Sequence, residues 1–219
     1  MFDTIWYYVG WAIIAGITKV LLRKNVVSYA PVPKGAKILV ANHPTISDPF
    51  ILFTSVHERV SIMIFHQVFT IPVFGRYLKS VGHIPVVRGN GQQAFDRALG
   101  FLNRGISVLV FMEGAISPEA GGFAKPRTGA VRLACYSGAP IVPIGVGVRK
   151  KNIRHINAII GGEKIRETWY FHGKYAITIG KHFHVTGDPT NRPKVREATH
   201  KVMGTVMNLA RESSSRIHG

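Results

Sequence analysis

Six short apolar runs alternate along the chain with segments of helical pattern, and this alternation limits the fold more than any other feature. The runs cover residues 37–41, 60–65, 82–87, 107–112, 141–148 and 175–185. Between and after them, residues 49–56, 73–80, 92–104, 128–137 and 192–212 carry helical spacing. In the third of these segments Phe95, Leu99 and Leu102 recur on one face and Gly105 suits the C-terminal end. Strands alternating with helices predict an α/β fold: a mixed, mostly parallel sheet wrapped by helices. The chain shows no internal repeat, no low-complexity tract and no second domain. The polar stretch 149–173 reads as an irregular excursion from the same domain.

Pro31, Pro33 and Gly35 separate this pattern from what precedes it, dividing the chain into an N-terminal helix over residues 1–30 and a main domain over 31–219. Between Asp3 and Lys19 lie 15 residues without a formal charge, close to the roughly 20 that a bilayer span needs. Trp6, Tyr7, Tyr8 and Trp11 crowd the first half like an interfacial aromatic belt, and Lys19, Arg23 and Lys24 follow the second. A signal peptide fits poorly, because no positive n-region precedes the stretch and no small-residue cleavage site follows it. A buried core helix is one reading. The favoured one is a helix that spans or lies in a membrane; if it spans, the basic residues after it place the main domain on the cytoplasmic side.

Charge and hydropathy agree with a membrane surface. The 219 residues carry 28 Lys and Arg against 11 Asp and Glu, a formal charge of +17, yet only 18% are charged. Mean hydropathy is positive at +0.14, which excludes general disorder. A basic, apolar chain suits an anionic bilayer, and the same charge attracts an acidic carrier or a phosphorylated substrate. Nucleic acid is not the expected partner, since no groove-entering motif and no stacking platform is present. The one cysteine, Cys135, excludes an internal disulfide and a multi-cysteine zinc site, and fits a reducing compartment.

Four segments hold residues that could do chemistry. In ANHPTISDP, residues 41–49, His43 and Asp48 follow the apolar strand ILVA, at a strand end where α/β proteins place their sites. A neutral histidine takes a proton near pH 7, and a carboxylate on its other nitrogen fixes the tautomer. The competing reading makes Asp48 a helix N-cap ahead of Pro49 and His43 a packed loop residue. In GHIPVVRGNG, residues 82–91, Arg88 sits in a glycine-flanked turn; it either grips a phosphate or is solvated there. In VLVFMEGAISP, residues 108–118, Glu113 and Gly114 follow a strand, and Glu113 is either part of a shared strand-end site or a capping or salt-bridging residue. In KPRTGAVRLA, residues 125–134, Lys125, Arg127 and Arg132 are either an anion site or a solvated face.

No Walker loop and no GxGxxG opens a helix after a strand. His172, His182 and His184 lack nearby acidic or cysteine partners, so no metal site is expected. Cys135 lies in an apolar helix and reads as packing.

Taken together the four blocks resemble the lysophospholipid acyltransferases, typified by 1-acyl-glycerol-3-phosphate acyltransferase. NHPTISD matches the family's His, four residues, Asp. GHIPVVR matches its Gly-x-Ile-Pro-Val-x-Arg block, FMEGAIS an altered Phe-Pro-Glu-Gly-Thr-Arg-Ser, and APIVPIGV its Pro-bearing strand. The blocks keep the family's order and cover about residues 37–148. The resemblance implies a catalytic domain in which His43 is the general base on the acceptor hydroxyl and Asp48 orients it. Arg88 would bind the acceptor phosphate, Glu113 and Gly114 would shape the acceptor site, and Arg127 would add positive charge beside it; Lys125, from the same basic cluster, is a further candidate for substrate binding. It also implies no bound cofactor; acyl-CoA or acidic acyl carrier protein is the co-substrate, and a lysophospholipid accepts the acyl group.

The third block departs from the family. Met112, Ala115 and Ile116 stand where Pro, Thr and Arg are usual, and the missing arginine removes one phosphate ligand. Either Arg88, Lys125 and Arg127 suffice, or the acceptor is not a simple phosphomonoester lipid. The alternative to an enzyme is a basic protein that binds anionic lipid or acyl carriers.

Overall fold

The structure is a computed structural model describing residues 3–56, 58–118, 121–160 and 163–218. Nine strands and six α-helices are described: α1 (Thr4–Leu21), β1 (Leu22–Ser28), β2 (Ile38–Ala41), α2 (Asp48–Phe53), β3 (Val60–Phe65), α3 (Phe74–Ser80), β4 (Ile84–Val86), α4 (Gln92–Leu102), β5 (Ser107–Phe111), α5 (Gly129–Ser137), β6 (Ile141–Val148), β7 (Ile153–Ile160), β8 (Glu163–Tyr170), β9 (Gly173–Ile179) and α6 (Arg192–His218).

Seven strands form one sheet in the order β1-β9-β6-β2-β5-β3-β4. β6, β2, β5, β3 and β4 are mutually parallel, β9 is antiparallel to β6, and β1 is parallel to β9. The expected mixed, mostly parallel sheet is therefore present. Every residue of β2 and β6 is buried, as continuous apolar runs covered on both faces must be. Alternate residues feed two cores. Leu39 and Ala41 join α2, Tyr7 of α1 and Tyr175 on one face. Ile38 and Val40 join α4, α5 and α6 on the other. Gly145 and Gly147 let α6 press onto β6, since a Cβ on Gly145 would lie 2.1 Å from the backbone of Leu209.

Several expectations need correction. Leu22–Ser28, inside the stretch read as helix, is the edge strand β1, bonded along its length to β9. The polar stretch 149–173 is not irregular: β7 and β8 pair antiparallel from Ile153↔Tyr170 onward. Its polar residues reflect a hairpin with an exposed side rather than a loop. The run expected at 175–185 leaves the sheet after Ile179; Phe183 returns to bridge Ile141. α6 continues six residues past the expected end because Ser213 is buried and bonded, to Thr178 Oγ1 at 2.7 Å and to the Gly145 carbonyl at 2.9 Å.

α1 is not a core helix. Its Tyr7 hydroxyl anchors in the core, accepting from Val60 N–H at 2.7 Å, and Thr18 is buried near the other end. Ile5, Trp6, Ile13, Ile17 and Val20 are all exposed.

Candidate active site

Parallel strands place their C-terminal ends on one edge, and His43, Arg88 and Glu113 follow β2, β4 and β5 there. His43 leaves β2 through Asn42, whose side-chain amide pairs with both backbone groups of Val146 at 3.0 and 2.8 Å. The His43 ring stacks on Phe111, the last residue of β5, with centroids 3.9 Å apart. Its Nδ1 lies 3.0 Å from Asp48 Oδ2.

Asp48 is fully buried and receives three further donors. Thr45 N–H donates to Oδ2 at 2.7 Å; the Thr45 hydroxyl and the Tyr175 hydroxyl each donate to Oδ1 at 2.8 Å. Burial, then the Asp48 charge, push the Tyr175 phenol well above its usual range, so it stays a donor. The capping reading of Asp48 fails on this geometry. Ser47 is the N-cap of α2 and Pro49 sits in its first turn, while both Asp48 oxygens turn back to Thr45, Tyr175 and His43. A carboxylate can only accept, so Asp48 takes Nδ1–H and leaves Nε2 facing away from it.

Glu113 is buried and spent on the backbone. Oε1 accepts from His43 N–H at 3.1 Å and the Ser117 hydroxyl at 2.6 Å, and Oε2 accepts from Ala124 N–H at 2.6 Å. It ties the His43 loop to the loop after β5, helped by Ser117 N–H on the His43 carbonyl at 2.7 Å. Gly114 has φ +65, a conformation that favours glycine, and a Cβ there would press on the flexible Arg127 side chain, 3.1 Å from its Cγ. Arg127 N–H in turn donates to the Met112 carbonyl at 2.8 Å. Met112 N–H donates to the Ala41 carbonyl at 3.0 Å, a bond that a proline at 112 could not make.

Arg88, Lys125 and Arg127 are exposed at this edge, with Arg88 lying over the Phe65 ring at the end of β3. Arg132 is not with them; it covers Phe95 of α4 at 4.7 Å. Ile116 is half-buried and contributes no charge. His184 faces the Gly138 carbonyl and His172 faces Asn152; among the described residues no three metal-ligating side chains come together.

Two features escaped the sequence. Tyr175 lies 127 residues from Asp48, and only the pairing of β9 with β6 brings it in. An apolar cavity of about 190 Å³ opens beside Ser47, walled by Ile14, Ile17, Phe50, Trp169 and Phe171. Its walls come from α1, α2 and the hairpin, which no local pattern connects.

A protein-family model described as Acyltransferase matches residues 23–147, from β1 through β6 and including His43, Asp48, Arg88 and Glu113. The chain belongs to the acyltransferase family. The fold of this acyltransferase is similar to that of the 1-acyl-sn-glycerophosphate (LPA) acyltransferase PlsC from Thermotoga maritima, with a TM-score of 0.64 and 19% identity over 93% of this chain and 80% of that one. No curated protein sequence matches the chain.

Proposed function

We propose that this acyltransferase moves a fatty acyl group from an acyl thioester to the hydroxyl of a lysophospholipid, 1-acyl-glycerol-3-phosphate in the first place, yielding phosphatidate. The observation that carries the reading is the His43–Asp48 pair: a histidine with one nitrogen held by a buried, four-fold bonded carboxylate and the other left for a substrate. Among the described residues no serine or cysteine side chain is bonded to the His43 ring, so the acceptor hydroxyl itself is the group activated.

As the acceptor oxygen attacks the thioester carbonyl, its proton passes to His43 Nε2. The tetrahedral oxyanion collapses, the C–S bond breaks, and the imidazolium returns its proton to the departing sulfur. Donors of this class are acyl-CoA and the acidic acyl carrier protein, both suited to a chain of charge +17. Arg88, Lys125 and Arg127 take the acceptor phosphate, and the apolar cavity beside Ser47 takes an acyl chain.

α1 lies in the membrane interface rather than crossing the bilayer. Tyr7 and Thr18, near its two ends, are both buried against the domain, so the helix runs along the protein with its apolar side outward. Lys19, Arg23 and Lys24 then meet anionic headgroups, with the catalytic domain on the cytoplasmic face.

The test compares 1-acyl-glycerol-3-phosphate with monoacylglycerol as acceptors, from acyl-CoA and from acyl carrier protein. At least a tenfold higher kcat/KM for the phosphorylated acceptor, lost in Arg88→Ala through KM, is expected. Equal rates would remove the phosphate from the reading.

A further inference from the structure

The turn ahead of α3 holds a strained residue. Val73 has φ +64 and ψ −57, and among the described residues it is the only non-glycine at positive φ. Phe74 N–H donates to the Pro72 carbonyl at 2.6 Å. That bond closes a γ-turn with Val73 at its centre, in the rare and strained form. A β-branched residue is an outlier there. The turn is held firmly. Gly75 N–H donates to the Ile71 carbonyl at 2.8 Å, and a Cβ on Gly75 would fall 2.1 Å from the carbonyl oxygen of the buried Phe69. Val73 itself is 68% exposed, so its side chain gains no burial inside the molecule. Glycine would make the same turn without strain; what valine adds is an apolar group held in solvent.

α3 runs back along α1. Asp3 N–H donates to the Ser80 carbonyl at 3.1 Å, and the Tyr77 hydroxyl donates to the Trp6 carbonyl at 3.4 Å. A Cβ on Gly10 would fall 1.7 Å from that hydroxyl, so the two helices meet closely there. Phe74 stacks on Tyr77 with centroids 6.4 Å apart, and its ring comes 6.3 Å from that of Phe50. Phe50 walls the cavity beside Ser47 together with Ile14 and Ile17 of α1. The turn therefore adjoins the same cavity as the outward side of α1, where Ile13 and Ile17 are exposed. Arg76 and Lys79 are exposed on α3, and residues 59–95 contain no Asp or Glu. An apolar tip beside cations, with no carboxylate near it in the chain, matches an anionic bilayer in both charge and polarity. We propose that the turn 71–74 is a second membrane contact, with Val73 set among lipid acyl chains and Arg76 and Lys79 on anionic headgroups. The inference rests on α1 lying in the membrane interface. With both contacts seated, the cavity they adjoin opens to lipid rather than to water.

The test attaches a polarity-sensitive nitrobenzoxadiazole label to the full chain carrying Cys135→Ala. The label is placed, one position at a time, at Val73→Cys, at Ile17→Cys on α1 and at Thr186→Cys, an exposed position beyond β9. Each chain is mixed with phosphatidylcholine–phosphatidylglycerol vesicles, with and without nitroxide on the lipid acyl chains. Emission from position 73 should shift to shorter wavelength and be quenched by the nitroxide lipid, as at position 17, while the label at 186 stays in water. No quenching at 73 overturns the proposal; if 17 is still quenched, α1 keeps its place in the interface. Quenching at 73 without quenching at 17 upholds the turn and counts against the interfacial α1. A shift at 73 that needs no lipid and grows with protein concentration would put a second copy of the chain on the turn, and overturns the proposal too. Unlabelled Val73→Gly keeps the turn and removes the side chain, and it is the readout if a labelled chain does not fold. Its affinity for the same vesicles, read by sedimentation, should fall roughly tenfold, as for one valine side chain withdrawn from an apolar medium. Its thermal unfolding midpoint without lipid should not fall. Unchanged affinity overturns the proposal, and a lowered midpoint beside it would assign Val73 to packing alone.

Discussion

At the scale of the residue, the candidate site is a histidine held by a carboxylate that is itself over-determined. Asp48 accepts from His43, from two groups of Thr45 and from Tyr175. Each bond to a buried charge contributes about 1.5–3 kcal/mol, and removing one donor leaves the carboxylate short of solvation it cannot regain. Tyr175→Phe should therefore reduce the unfolding free energy by about 1.5–3 kcal/mol and lower kcat about tenfold with KM little changed. Denaturant unfolding and steady-state kinetics read both; a wild-type kcat would show that Thr45 alone orients Asp48. His43 and Asp48 were legible in the sequence because they lie five positions apart on one loop after one strand. Tyr175 was not, because the strand carrying it enters the sheet beside β6 after a long excursion, and nothing local marks it. Glu113 could be read from sequence as part of a strand-end site or as a capping or salt-bridging residue; that its oxygens bind the His43 loop and the loop after β5 is shown only by the folded geometry.

At the scale of the element, the parallel strands were readable from their unbroken apolar runs, and the amphipathic helices from their spacing. The hairpin β7–β8 was not, since its side chains serve a two-stranded ribbon outside the main sheet and carry only a weak alternation. β1 was hidden because LRKNVVS, half polar at the sheet edge, follows an apolar helix without a break. One element junction carries a pH dependence of its own. His83, just before β4, is buried and accepts from the Ile62 N–H of β3 at 3.2 Å. Burial, followed by the Arg59 charge, pushes its pKa down to about 4. In the unfolded chain the ring titrates near 6.5, so between these values the unfolded state binds more protons. The His83 contribution is thus whole above pH 6.5 and is lost as pH falls toward 4. Unfolding free energy should drop by about 2–3 kcal/mol between pH 7 and 4.5 from this group. His83→Asn, which keeps an acceptor for Ile62 but does not titrate there, should flatten that part of the profile. An identical drop in the variant would clear His83 of the effect.

At the scale of the whole molecule, one sheet edge gathers His43, its loop partner Glu113 and three exposed cations, while α1 turns an apolar side outward next to the cavity beside Ser47. Charge of +17 and positive mean hydropathy, puzzling in a soluble enzyme, become consistent when headgroups and acyl chains are the substrates' own chemistry. The proposed transfer depends on His43 taking the acceptor proton. The measurement that tests it most directly is the transfer of radiolabelled acyl groups from acyl-CoA to 1-acyl-glycerol-3-phosphate in mixed micelles, wild type beside a folded His43→Ala. Turnover by the wild type and a loss of about a thousandfold or more in the variant are expected. Turnover in His43→Ala within a few-fold of wild type would contradict it.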